Sequence, residues 1–151
     1  MTEQAISLRP YRPADEAEAI DLWRRTWQVA YPHLDFNARV DWWRERWRSE
    51  LVPVATIVVA ERAGVLTGFV TVDPSNGYLD QIVVAPDTWR ANVGAMLLAE
   101  AQRIAPAGLD LHVNADNARA IAFYRKHGFI VSGEDVNARS GAPVFKMSWR
   151  P

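Results

Sequence analysis

The spacing of apolar residues changes several times along the chain, and each change marks an element. A short strand is predicted over 6–11. Pro13 suits the first turn of a helix, with Asp15, Glu16 and Glu18 near its positive end. Ala17, Ile20, Trp23 or Arg24, and Trp27 then recur at helical spacing, which predicts a helix over 14–28. Tyr31-Pro32-His33-Leu34-Asp35 breaks it. Asn37 can cap a second helix in which Val40, Trp43 and Trp47 form one face.

From Ala55 the period becomes two. Strands are predicted over 56–61 and 66–73, joined by a hairpin turn at Arg62-Ala63-Gly64. Pro74-Ser75-Asn76-Gly77 is a turn signal, so 78–84 reads as a third antiparallel strand. In it Asp80, Ile82 and Val84 are expected on one face, and Leu79, Gln81 and Val83 on the other. Pro86-Asp87-Thr88 leads into a helix carrying Met96, Leu97, Leu98 and Ile104, which Pro106 and Gly108 end. A strand over 109–113, a helix over 117–127 and a closing hairpin of 129–136 and 143–149 around Arg139-Ser140-Gly141 complete the order. The result is an α/β (α+β) architecture: a mixed, mostly antiparallel sheet of about seven strands with helices on both faces. One domain over 1–151 is expected.

Composition narrows the function classes. A net charge of −1 argues against nucleic acid, which calls for a basic stripe. With no cysteine there are no disulfides, thiolate metal sites or cysteine nucleophile. His33, His112 and His127 have no paired ligand spacing, so no metal is expected. No Gly-x-Ser-x-Gly elbow supports a serine hydrolase. The opening residues hold neither a basic leader nor an apolar core, and no apolar run is long enough to span a bilayer, so a cytoplasmic protein is expected. Trp23, Trp27, Trp42, Trp43 and Trp47 crowd the first third. Those at helical spacing read as core, while Trp42 could line a pocket, cover a contact between two copies, or lie on the surface.

Two segments carry candidate chemistry. Residues 84–98 form a strand–loop–helix junction with Trp89, Arg90, Ala91, Asn92, Val93, Gly94 and Ala95 at the helix start. Free N–H groups there point at an anion, aided by the helix dipole, and Arg90 is either a phosphate partner or a solvated charge. Residues 111–129 read Leu-His-Val-Asn-Ala-Asp-Asn-Ala-Arg-Ala-Ile-Ala-Phe-Tyr-Arg-Lys-His-Gly-Phe. In that segment a strand ends in a polar turn, Asp116 or Asn117 caps a helix, and Tyr124 sits two turns in before Gly128 stops it.

This second segment resembles the coenzyme A side of the GNAT superfamily, the acyl-CoA-dependent N-acyltransferases. The first resembles the family's pyrophosphate loop, commonly Arg or Gln (sometimes Trp), two residues, Gly, one residue, then Gly or Ala. Trp89 and Gly94 fit that pattern, and Asn92 stands at its first glycine. Asn is the non-glycine residue best suited to a left-handed backbone, so that conformation is expected at Asn92. The resemblance implies a GNAT fold and an N-acetyltransferase that uses acetyl-CoA, with direct attack of a primary amine in a ternary complex. It implies that the backbone of Ile82, Val83 and Val84 orients the thioester and that the 89–95 loop holds pyrophosphate. Asn117 would bond the pantetheine arm, with Ala120 and Phe123 on the same helix. Tyr124 would be the general acid, since a phenol of pKa about 10 can protonate a thiolate whose conjugate thiol has a pKa of about 8.5.

The resemblance transfers no base. Asp80 is the first candidate, and Trp27, Tyr31, His33 and His112 are candidates for the acceptor side, with Glu134 and Asp135 as charges that could attract a cation. A small-molecule amine is placed slightly ahead of a protein amine as acceptor. A homodimer stays open. The alternative from another class is an acyl-CoA-binding or ligand-sensing module without transferase activity, motivated by the altered loop.

Overall fold

The computed structural model describes residues 5–89 and 91–151. In chain order the elements are β1 (Ser7–Pro10), α1 (Glu16–Ala30), α2 (Val40–Arg46), β2 (Thr56–Arg62), β3 (Val65–Asp73), β4 (Tyr78–Val84), α3 (Val93–Ile104), β5 (Leu109–Asn114), α4 (Ala118–Lys126), β6 (Ile130–Val136) and β7 (Pro143–Trp149). The seven strands form one sheet in the order β1-β2-β3-β4-β5-β7-β6. Every neighbouring pair is antiparallel except β4 and β5. No helix among the described residues is long and apolar enough to cross a membrane.

Alternation along the strands sorts the core into two layers. Val58, Ala60, Val70, Val72, Leu111, Val113 and Met147 pack against Val93, Leu97, Leu98 and Ala101 of α3 and Tyr124 of α4. Ile57, Val59, Phe69 and Val83 pack against Ala19, Ile20, Leu22 and Trp23 of α1, Trp43 of α2 and Trp47 just after it. Of the tryptophans predicted as core, Trp23, Trp43 and Trp47 are buried, while Trp27 is only partly buried at the edge of this layer. Trp23 and Trp43 stack at 4.6 Å between centroids, and Trp47 meets Phe69 edge-on at 5.2 Å.

β4 departs from the expected alternation. The ladder with β3 pairs Thr71 with Gln81 and then Val72 with Leu79, so Asp80 is the extra residue of a β-bulge. One inserted residue shifts the phase of the strand. Leu79 joins Ile82 and Val84 on the α3/α4 side, while Val83 belongs to the α1/α2 side. The expected grouping of Leu79 with Val83, and of Asp80 with Ile82 and Val84, is thus corrected. The Thr71 hydroxyl accepts the Gln81 N–H at 3.0 Å and satisfies the ladder where the bulge interrupts it.

β4 and β5 meet in register only at Tyr78 and Asp110 and then part. The meeting point depends on Gly77, which has φ +74, and a Cβ there would overlap the Gly108 carbonyl. Its own carbonyl accepts the Asp110 N–H at 3.0 Å. The cleft beyond this point is the place in the sheet where backbone and side chains from both layers can meet a ligand.

Candidate active site

On the α3/α4 side of the cleft, Asn92 takes the left-handed conformation expected of it, φ 64 and ψ 18, directly before α3. Its side chain does not cap the helix, so the first N–H groups of α3, which no intrahelical carbonyl can reach, keep their donor capacity. Val93 is fully buried in the core and can offer only its backbone to a ligand. Gly94 faces Phe123: a Cβ on it would lie 3.2 Å from that ring. The glycine thus favours close packing of α3 on α4, where a larger residue would have to displace the Phe123 ring slightly. Ala91 and Ala120 lie at the margin of the same apolar layer, and Ala95 is half-buried. Arg90 lies outside the described residues.

Trp89 folds back onto the strand end, its indole N–H donating to the Val84 carbonyl at 2.8 Å. The Arg119 guanidinium lies over its ring, 3.5 Å from the centroid. Asn117, rather than Asp116, caps α4, its side chain accepting the Ala120 N–H at 3.2 Å. Tyr124 is 7% exposed and packs against Phe123 and Phe129, each ring 5.4 Å away. Burial raises its pKa, so it stays a neutral phenol at physiological pH. Among the described residues its hydroxyl has no hydrogen-bond partner.

The α1/α2 side of the cleft is polar. Asp80 projects from the bulge toward α2, where Arg46 holds both of its oxygens at 2.8 and 2.6 Å. This pairing, working against burial, raises the pKa of Arg46. The Tyr78 hydroxyl lies 2.8 Å from His112 Nδ1. Burial first, then the Asp80 charge, pushes Tyr78 up to about 12. Asn114 donates to the Tyr31 hydroxyl at 3.1 Å, and that hydroxyl donates to Asp116 at 2.9 Å. The break after α1 is thereby tied to the turn that carries Asn117. Trp27 stacks on Tyr31 at 5.7 Å, and exposed His33 meets the edge of Tyr31. Trp42, 38% exposed, carries the Arg139 guanidinium 4.1 Å from its ring centroid, so the β6–β7 hairpin reaches α2.

The structure therefore brings Asp80, His112 and Tyr31 to one face of the cleft, and Asn117, Phe123 and Tyr124 to the other. A shallow groove of about 500 Å³ beside the end of β5 includes Glu134 and Asp135. Arg46, Tyr78, Asn114 and Arg119 were not singled out from the sequence. Arg46 lies one helical turn beyond Trp42, but its partner is fixed by a bulge that periodicity does not reveal.

The sequence model of the acetyltransferase (GNAT) family matches residues 17–129. A peptidyl-lysine N-acetyltransferase, YjaB of Salmonella typhimurium, is 30% identical over 145 residues, spanning 91% of this chain and 92% of that protein. Its Escherichia coli counterpart is 28% identical over 138 residues. The solved apo form of E. coli YjaB superposes with a TM-score of 0.79 at 26% identity, over 96% of this chain and 97% of that one. The Thermoplasma acidophilum PaiA N-acetyltransferase in complex with coenzyme A superposes with a TM-score of 0.80 at 20% identity, over 97% and 99%. The expected fold and enzyme class agree with these matches, and this chain belongs to the GNAT family of acetyltransferases.

Proposed function

We propose that the protein transfers the acetyl group of acetyl-CoA to a lysine side-chain amine by direct attack in a ternary complex. Tyr124 carries the transferase reading: a buried phenol, held neutral and without a partner among the described residues, suits a leaving group that must be protonated. The acceptor class follows the names of the two YjaB relatives, ahead of the small-molecule amine favoured from the sequence. The uncapped start of α3 suits a phosphate, and Asn117 stands at the head of the helix that carries Tyr124.

Acetyl-CoA supplies the activated thioester, whose carbonyl carbon bonds to the amine nitrogen as its C–S bond breaks. The electron pair leaves on sulfur, and Tyr124 donates its proton there. The nitrogen loses a proton to a base and, through water, that proton restores Tyr124. Asp80 commits both oxygens to Arg46, so the geometry supports His112 as the acceptor of that proton. For Nε2 to be free, Nδ1 must carry the hydrogen and donate to Tyr78, whose raised pKa keeps it a phenol.

His112→Gln is expected to lower kcat/KM for the amine about tenfold at neutral pH, less than a sealed base because water reaches this exposed site. The loss shrinks as pH approaches the amine pKa of about 10.4, where free amine no longer needs a base. A pH profile of kcat/KM for His112→Gln beside Asp80→Asn checks this. A larger, alkali-relieved loss in Asp80→Asn moves the base to Asp80.

The function itself is tested by thiol release and peptide mass after incubation with acetyl-CoA and a panel of lysine peptides and small amines. Acetylated lysine is the expected product. Turnover on small amines alone returns the acceptor to that class, and coenzyme binding without turnover on any amine favours a sensing module.

A further inference from the structure

Three observations meet at the outer end of the cleft. Trp89 is anchored by its N–H to the Val84 carbonyl. The Arg119 guanidinium lies 3.5 Å from the centroid of that ring. Arg119 meets no carboxylate among the described residues and stands two positions after the cap Asn117, in the first turn of α4. A guanidinium stacked on an aromatic face keeps its N–H edge free in the plane of the fork, which is the edge that matches a phosphate bidentately. The stack also holds the long side chain in one orientation before any ligand arrives, reducing the entropy lost on binding. The ring that carries it belongs to the loop leading into the uncapped start of α3.

Resting on the acetyl-CoA reading above, we propose that Arg119, presented by Trp89, binds a phosphate group of the acyl donor and selects donors that carry one. The charge of that donor lies wholly in its phosphates, and the acetyl-pantetheine end is neutral. Arg119 therefore acts on the half of the donor far from the reacting bond, and its contribution belongs in donor KM.

Steady-state kinetics with acetyl-CoA and with acetyl-pantetheine, which has no phosphate, test this. Arg119 is exposed, so Arg119→Ala is compatible with folding. Its KM for acetyl-CoA is expected to rise about 10- to 100-fold, the range for a charged hydrogen bond, with kcat within about twofold. Kinetics on acetyl-pantetheine should match the unaltered protein. Arg119→Lys should recover part of the loss, because an ammonium replaces the charge and not the fork. An unchanged KM for acetyl-CoA, or an equal loss on both donors, overturns the assignment. If the unaltered protein turns over neither donor, the proposed reaction fails. Calorimetry with coenzyme A and pantetheine then reads the same difference, and equal coenzyme A affinity of the two proteins overturns the assignment.

Discussion

Replacing Tyr124 by Phe is expected to lower kcat about 100- to 1,000-fold, within the usual range for a positioned general acid. KM for acetyl-CoA should stay within about twofold, because the ring and its contacts with Phe123 and Phe129 remain. Stability should not fall. The hydroxyl has no partner among the described residues, so deleting it breaks no hydrogen bond between them. The loss should be smaller with an acetyl thioester of a more acidic thiol, which leaves without a proton. Alkaline pH supplies a second signature. Burial raises the Tyr124 pKa, so above about pH 10 the unfolded chain gives up a proton that the folded chain keeps. The native state then binds more protons, stability falls as pH rises, and part of that slope should vanish in the Phe variant. Unchanged turnover on the true acceptor would remove Tyr124 from the chemistry.

Local physics in the sequence was readable wherever a residue's options are few. Asn92 was expected in the left-handed region because little besides glycine goes there, and it is found at φ 64. Gly128, at φ 91, ends α4 where the segment 111–129 has its glycine. Capping narrowed the start of α4 to Asp116 or Asn117, but a residue far away decided between them: the Tyr31 hydroxyl donates to Asp116, and Asn117 caps. The bulge was not legible. Asp80 and Gln81 are adjacent polar residues, so an inserted position leaves no mark on an apolar period, and the alternation assigned Asp80 to the wrong face. From that one displacement follow its pairing with Arg46 and the separation of Leu79 from Val83. Distance in sequence hid the rest: Arg46 and Asp80, Trp89 and Arg119, and Trp42 and Arg139 each join elements that only the folded sheet brings together.

Arg46→Ala should cost about 2–4 kcal/mol, because it strands a carboxylate that is only 15% exposed. For a chain of this size that corresponds to a fall in Tm of roughly 5–12 °C. The pair is also the tie between α2 and the bulge where β4 turns from its period, next to the point where β4 and β5 part. Without it the bulge loses its anchor, and kcat/KM for the amine should fall with stability. Two further variants separate the effects. Asp80→Asn keeps a polar group against Arg46 and removes the buried negative charge, so its thermal loss should be smaller than that of Arg46→Ala. The double variant Arg46→Met, Asp80→Leu replaces both charges with apolar groups and should recover most of the lost stability, as paired apolar substitutions often do. Its activity should not return, because the acceptor face of the cleft then lacks its fixed carboxylate. Thermal melts of the three variants beside amine kinetics check this. An unchanged Tm in Arg46→Ala would show the pair to be an ordinary surface contact, and full activity in the double variant would take Asp80 out of the acceptor site altogether.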